Sequence, residues 1–207
     1  MDIRTFSNLL REHNLGLFSV REAGVLFPAR DTPLMLLQLH QWCRKGWIRR
    51  VKRGLYELAY PGQIVLSDLY IANKLYEPSY VSLETALSHY QLLPETAAQV
   101  TSVASEATRR FKNFHGLFTY FSVRPRAFAG YTLIRLQGQT VRIAEPEKVV
   151  VDRLYMSLRR GEDWRVVCDR WDRGRIKKMN KNKLASYADL FETSGAKIKE
   201  HIHVILR

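Results

Sequence analysis

A run of ten residues, 44–53, carries six basic side chains, and its chemistry is the most specific that this sequence offers. Guanidinium and ammonium groups bind phosphates, and both also donate hydrogen bonds to guanine in the DNA major groove. Two glutamines lie within two helical turns before the run, and a glutamine can bond adenine through two hydrogen bonds. We expect the glutamines and the first two basic residues to read bases and the others to contact phosphates. These candidate DNA-binding residues are Gln38, Gln41, Arg44, Lys45, Arg49, Arg50, Lys52 and Arg53.

Three short helices are predicted to precede and position these side chains. Apolar residues at three- and four-residue spacing predict a first helix that ends near residues 14–16. A capping box that starts at Ser19 predicts the second helix, and Asp31 or Thr32 caps a third helix that ends at Gly46. On a helical wheel one arc of the third helix is apolar and predicted to pack, and it comprises Met35, Leu36, Leu39, Trp42 and Cys43. The glutamines and the first two basic residues lie opposite, accompanied by Leu34 and Leu37.

Residues 47–59 change to an alternating pattern that is broken at Arg53-Gly54, which predicts two short strands joined by a turn. Three helices followed by a β-hairpin predict a winged helix-turn-helix domain over residues 1–60. In that architecture the third helix lies in the major groove and the hairpin lies along the phosphates. A winged helix used only for protein docking is the alternative.

The composition becomes less charged after Pro61-Gly62, which predicts a second domain over residues 61–207. Helices are expected after Ser67 and Ser82, and residues 99–142 have the period of strands. We expect an antiparallel sheet there, with turns at residues 115–116 and 138, and then helices over residues 145–156 and 162–171. The predicted fold class is therefore α+β: an N-terminal winged helix-turn-helix and a mixed α+β domain.

The chain of 207 residues has a formal net charge of +13, which favours a polyanionic partner. The charge is +5 over residues 1–60, +2 over 61–136 and +6 over 137–207. The dense basic stretch 170–183 is interpreted as solvated helix ends and loops, with a secondary surface for nucleic acid or for an acidic partner as the alternative. No apolar run approaches the length of a membrane span and no signal peptide begins the sequence, so we expect a cytoplasmic protein. The two cysteines, Cys43 and Cys168, suggest neither a disulfide framework nor a zinc module.

The sequence supports an enzymatic function less well than it supports DNA binding. Glu145, Glu147, Lys148 and Asp152 supply the residue types of a metal-dependent nuclease, but adjacent helical residues point about 100° apart, so they are not expected to converge. A histidine pair, 201 and 203, has no recognisable third metal ligand. Phosphate-binding and serine-hydrolase motifs are absent from the sequence. We therefore expect a non-enzyme without metal or cofactor.

Four short strings in this order resemble the AbiEi family, the antitoxins of type IV abortive-infection toxin–antitoxin systems. The resemblance covers about residues 15–160. The strings are Arg53-Gly54-Leu55-Tyr56, Tyr80-Val81-Ser82-Leu83-Glu84-Thr85-Ala86-Leu87, Val100-Thr101-Ser102-Val103 and Ala144-Glu145-Pro146-Glu147-Lys148 with Asp152.

The resemblance implies a cytoplasmic protein with two functions in two domains. The winged helix would bind inverted repeats in double-stranded DNA of its own promoter and repress its operon. The second domain would counteract a cognate nucleotidyltransferase-like toxin, with or without direct contact. The alternative is a winged-helix regulator without a toxin partner, whose C-terminal domain senses a ligand or dimerises; the adjacent reading frame distinguishes the two.

Overall fold

The structure is a computed structural model, and it describes residues 2–28, 31–62 and 64–207. Three helices and three strands make up the first sixty residues, as far as the structure describes them. In chain order these elements are α1 Ile3–Glu12, β1 Leu17–Ser19, α2 Val20–Leu26, α3 Thr32–Arg44, β2 Ile48–Lys52 and β3 Leu55–Leu58. The three strands form an antiparallel sheet in the order β1-β3-β2, so β3 is central.

Local chemistry fixes the start of each of the first three helices. The Asp2 carboxylate accepts from two backbone amides at the start of α1, and Asp31 accepts from the Leu34 amide at 3.0 Å to begin α3. The predicted capping box is confirmed, because Ser19 Oγ accepts from the Glu22 amide at 3.1 Å while Glu22 accepts from the Ser19 amide at 2.7 Å.

The second part of the chain contains the remaining elements and most of the core. They are α4 Asp68–Leu75, β4 Ser79–Val81, α5 Leu83–His89, β5 Val100–Ala104, β6 Arg109–Asn113, β7 Gly116–Ser122, β8 Tyr131–Leu136, β9 Gln139–Ala144, α6 Pro146–Arg160, α7 Trp164–Cys168, α8 Arg173–Lys177, α9 Lys181–Asp189 and α10 Gly195–Ile205. The α+β class is therefore confirmed. Six strands form one sheet in the order β6-β7-β5-β4-β9-β8.

The antiparallel sheet predicted for residues 99–142 is wrong in part, because the sheet is mixed. The pairs β5/β7 and β4/β9 are parallel, whereas β4/β5, β6/β7 and β8/β9 are antiparallel. The hairpin partner β6 lies on the outside of β7, so β7 presents its other edge to β5 and runs parallel to it. The three-residue strand β4 lies between β5 and β9. Alternation in the sequence predicts a strand but does not choose its partner or direction.

The C-terminal helices also differ from the prediction. The helix expected over residues 162–171 is only the short α7, which Asp163 caps. Asp172 and Asn180 then cap α8 and α9, so the basic stretch 170–183 lies largely in short helices. Part of its charge is paired, because Arg170 contacts Glu95 and Lys183 lies 2.6 Å from Glu145.

Buried apolar residues form two clusters. The smaller cluster joins α1–α3 to the three-stranded sheet and is built around Phe6, whose ring lies 5.2 Å from that of Phe18 and 4.9 Å from that of Trp42. The larger cluster fills the second part of the chain, but it also includes three side chains of the small sheet: Leu17, Val51 and Leu55. The small sheet therefore contributes to both cores.

Candidate nucleic-acid interface

Helix α3 has one face in the smaller core and the opposite face in solvent. Met35, Leu39 and Trp42 are at most 2% exposed and lie within about 60° of one another on the wheel. Of the five residues predicted to pack, Leu36 is 43% exposed, so that prediction is wrong for this residue. Cys43 is half-buried. The orientation of α3 is set by three large apolar anchors.

Three of the four predicted base-reading residues are exposed on α3 or immediately after it. Gln41, Arg44 and Lys45 are exposed, whereas Gln38 is half-buried at the margin. Gln38 Nε2 donates to Gln41 Oε1 at 3.4 Å, which aligns the two amides side by side. The Lys45 ammonium lies 4.6 Å from the centroid of the Trp47 ring.

The hairpin β2–β3 divides its four basic residues between two directions. Arg50 and Arg53 are exposed, and Gly54 with φ +78° makes the turn beside Arg53. Arg50 lies close enough to α3 that its charge opposes part of the rise that burial causes in the pKa of Cys43. The structure thus brings Arg50 to the side of the hairpin that adjoins the helix.

Arg49 and Lys52 point instead toward the second part of the chain. Arg49 Nη2 lies 3.3 Å from Glu57 Oε1, and its guanidinium stacks 4.4 Å from the Phe114 ring centroid. Lys52 Nζ donates to the Leu75 carbonyl at 2.5 Å, and burial lowers its pKa. The prediction that all four hairpin residues share one phosphate-binding surface is therefore not supported by their placement, because two of them hold the hairpin against its neighbours.

Glu57 is the centre of this anchoring. It is fully buried in β3, and besides Arg49 it binds His115 Nε2 through Oε2 at 2.8 Å. His115 lies at the turn between β6 and β7. A further contact, between Lys74 and Glu22 at 3.0 Å, ties α4 to α2. Burial opposes ionisation of Glu22, but hydrogen bonds from Ser19 and Lys74 outweigh it and lower the pKa of Glu22.

The charges on the exposed side are uncompensated. Within the part of the chain that the structure describes, no carboxylate lies within 4.0 Å of the side-chain nitrogens of Arg44, Lys45, Arg50 or Arg53. Four cations concentrated at the end of one helix and the adjacent hairpin attract a polyanion. We call the exposed Gln41, Arg44, Lys45, Arg50 and Arg53 the basic face.

Three more exposed residues continue the basic face along α3: Leu34 and Leu37, which the wheel places there from the sequence, and His40, which the sequence analysis missed. His40 lies near the centre of the solvent arc, and Leu34 and Leu37 are 53% and 54% exposed. The same wheel could have identified His40, because it also lies on the side away from Met35, Leu39 and Trp42.

The residues considered for a nuclease do not form an accessible site. Lys148 and Asp152 are fully buried one turn apart on α6 and form an ion pair. Asp152 Oδ2 also accepts from Ser82 Oγ at 2.8 Å and from Tyr80 OH at 3.1 Å. Burial lowers the pKa of Lys148 and raises that of Asp152. A substrate cannot reach this pair without opening the core.

The two glutamates at the start of α6 face away from this pair. Glu145 accepts from Lys183 Nζ at 2.6 Å and from Tyr187 OH at 2.9 Å, and Glu147 accepts from the Asn180 amide at 3.1 Å. Hydrogen bonding to Lys183 lowers the pKa of Glu145. Among the described residues there is no group of three or more histidine, cysteine, aspartate or glutamate side chains that could hold a metal ion.

Comparisons with known proteins give a fold and no family. No family model and no curated protein matches the chain. A solved structure, the crystal structure of RV2827C protein from Mycobacterium tuberculosis, is similar with a TM-score of 0.61 and 12% sequence identity over 98% of this chain and 75% of that one. At this identity the likeness concerns the fold. In residues 2–28, 31–62 and 64–207 no helix is long and apolar enough to span a membrane.

Proposed function

We propose that the chain is a sequence-selective double-stranded-DNA-binding protein in which α1–α3 and the three-stranded sheet act as a winged helix-turn-helix. The observation that supports this most directly is the basic face: four cations without a carboxylate partner among the described residues, and Gln41, are exposed on α3, just after it and on the adjacent hairpin. Helix α3 would enter the major groove with Gln41 and Arg44 directed at base edges. Arg50 and Arg53 would contact phosphates beside it.

The proposal predicts a specific dependence on salt. Each phosphate that a cation neutralises contributes about −0.9 to the slope of log K against log salt concentration. Replacing Arg50 and Arg53 with alanine should therefore weaken binding to every duplex and reduce the slope by about 2. The variant Gln41→Ala should instead lower the preference for one sequence over others by about 1–3 kcal/mol.

The experiment is a titration of the full chain onto labelled DNA of its own upstream region and onto a scrambled duplex at several salt concentrations. The matched control is the double variant Arg173→Ala/Lys178→Ala, which removes the same charge from exposed positions of the C-terminal helices. It should leave the slope within about 0.5 of the parent. Equal slopes for the two double variants would contradict the assignment of the basic face.

We further propose that the DNA-bound protein represses its own operon and counteracts a cognate nucleotidyltransferase-like toxin in the cytoplasm. Support comes from the resemblance of the four sequence strings to AbiEi antitoxins, since the second part of the chain carries most of them. We propose no enzymatic activity, because the strongest candidate residues, Lys148 and Asp152, are buried and paired.

The antitoxin role is tested by co-expression of the full chain with the product of the adjacent reading frame. A fragment 61–207 is unsuitable, because Leu17, Val51 and Leu55 complete its core. The full-length Arg50→Ala/Arg53→Ala variant separates the two functions: it should lose repression and keep protection from the toxin. Growth arrest in the presence of the unmodified chain would remove the antitoxin role and favour a regulator without a toxin partner.

A further inference from the structure

Two exposed leucines occupy the amino-terminal half of the solvent face of α3. Leu34 and Leu37 are one turn apart and have more than half of their surface in solvent. They make no part of either buried cluster, since Met35, Leu39 and Trp42 provide the contacts of α3 with the core. Single exposed leucines are ordinary on protein surfaces. Two exposed leucines on the face of α3 that also carries Gln41 and Arg44 indicate an interaction specific to that face.

The geometry points to a thymine-reading site. We propose that Leu34 and Leu37 contact the C5-methyl groups of thymines in the major groove and so select DNA with thymines at the amino-terminal end of α3. This inference rests on the proposed DNA binding and assigns it a substrate class. The thymine methyl is the apolar group that base edges present in the major groove, and apolar side chains are its usual partners.

The dimensions of α3 fit this role. The residues 34–44 span about 15 Å along the helix axis, which corresponds to about four base pairs at about 3.4 Å each. A recognition helix contacts base edges mainly through its amino-terminal residues, where the two leucines lie. Their separation along the axis, about 4.5 Å, places them over neighbouring base steps.

The side chains along α3 therefore predict an order of bases. Leu34 and Leu37 would select thymines, the adjacent Gln41 would bond an adenine, and Arg44 would bond a guanine or a phosphate. The flanking charges favour DNA over a protein as the occupant of this face. Arg50 adds exposed positive charge beside the same helix and Arg53 adds it at the hairpin turn, each without a carboxylate partner among the described residues.

The test uses a duplex selected by the full chain from a random-sequence library and a copy with deoxyuridine in place of every thymidine in the selected site. Deoxyuridine keeps base pairing and removes only the methyl group. The loss of one buried methyl contact should weaken binding about fourfold, so two contacts should weaken it about tenfold or more. The Leu34→Ala/Leu37→Ala variant should bind both duplexes equally and at the weaker level.

The control variant is Leu36→Ala, which removes a leucine that is 43% exposed near the edge of the solvent face. It should keep the preference for thymidine. Thermal unfolding should be nearly unchanged in all three proteins, because the substituted residues are exposed and alanine favours a helix.

The outcomes separate this inference from the proposed function. Failure of the library to yield any preferred duplex would refute sequence-selective DNA binding itself. A preferred duplex that the parent binds equally well with thymidine or deoxyuridine would overturn the methyl-reading inference and leave DNA binding in place. A change of oligomeric state in Leu34→Ala/Leu37→Ala, with the thymidine preference retained, would show that the leucines contact protein and would also overturn it.

Discussion

The buried ion pair of α6 permits a sharp test of the core. The change Asp152→Asn removes one charge and keeps the size and an acceptor oxygen for Tyr80 and Ser82. It leaves the ammonium of Lys148, which is fully buried, without its counter-charge. Removing one partner of a buried pair costs about 3–5 kcal/mol, because the remaining charge is uncompensated.

The expected loss corresponds to a fall in Tm of about 10 °C for a chain of this size. The assay is urea unfolding at pH 7, followed by far-ultraviolet circular dichroism and tryptophan fluorescence. The double variant Lys148→Met/Asp152→Asn should recover about 2 kcal/mol or more of the loss, since methionine fills the space of the lysine without a charge. The matched control, Lys199→Met, removes one partner of the exposed pair with Asp189 and should cost less than about 1 kcal/mol.

The pH dependence gives an independent check on the same pair. Without Asp152, burial acts alone on Lys148 and its folded-state pKa lies below its unfolded value, so the unfolded chain binds more protons. The stability of Asp152→Asn relative to the parent should therefore rise as the pH rises through the folded pKa of Lys148 toward 10.5. A loss below about 1 kcal/mol in Asp152→Asn, or additive effects in the double variant, would refute the reasoning.

Three further substitutions have defined expectations. Glu22→Gln breaks the partly exposed ion pair with Lys74 and should cost about 0.5–1 kcal/mol of unfolding free energy at pH 7. The pKa of Glu22 is lower in the folded protein than the ordinary value of 4.5, so the difference between variant and parent should vanish as the pH falls below 4.5 and through the folded pKa. Thermal unfolding across a range of pH measures this difference. Gly130→Ala should lower the free energy of unfolding by about 2–4 kcal/mol in urea, because φ is +75° and the new Cβ would lie 2.7 Å from a ring carbon of Tyr187. Thr101→Val should cost about 1–3 kcal/mol in the same assay, because the buried hydroxyl accepts from the Thr85 amide at 3.1 Å.

Controls for these substitutions lie elsewhere in the chain. Gly24→Ala adds a Cβ with nothing within 4 Å in α2 and should stabilise the protein by about 0.5–1 kcal/mol. Thr132→Val changes an exposed threonine of the edge strand β8 and should be nearly neutral. A neutral Gly130→Ala would contradict both expected costs, the contact with Tyr187 and the strain of alanine at a positive φ. If the stability difference between Glu22→Gln and the parent did not change with pH, the ion pair with Lys74 would contribute nothing to the free energy of unfolding.

The helices of the first sixty residues could be predicted because their signals are local. Ser19 and Glu22 satisfy one another within a single turn, and Asp31 caps α3 by bonding an amide three residues ahead. The strands of the second part of the chain were harder to predict from the sequence. The strand β6 is mostly charged and exposed at a sheet edge, and β4 has three buried residues, too few to show a period.

The residue types of the candidate interface could be predicted from the sequence, but the directions in which its side chains point could be predicted only in part. Gln41, Arg44, Lys45, Arg50 and Arg53 are exposed as expected. The direction of the other hairpin side chains depends on groups that lie far away in sequence, namely Phe114, His115 and the Leu75 carbonyl. No local pattern encodes such contacts. The helical wheel suffices for α3 itself: it places Leu34 and Leu37 on the solvent face from the sequence, and it could also have placed His40 there.

The burial of Glu57 explains why a charge count overestimates the DNA-binding surface. A buried carboxylate is stable only with charged or hydrogen-bonding partners, and the strand β2 supplies one of them from the basic run as Arg49. A shift in register between Arg50 and Lys52 then lets Arg50 face solvent while Lys52 turns toward α4. Phosphate contacts from all four basic residues of the hairpin would predict a salt slope of about −3.6, whereas the two exposed ones, Arg50 and Arg53, predict about −1.8. The difference corresponds to Arg49 and Lys52, which hold the hairpin against the second part of the chain and so keep Arg50 at a fixed position beside α3.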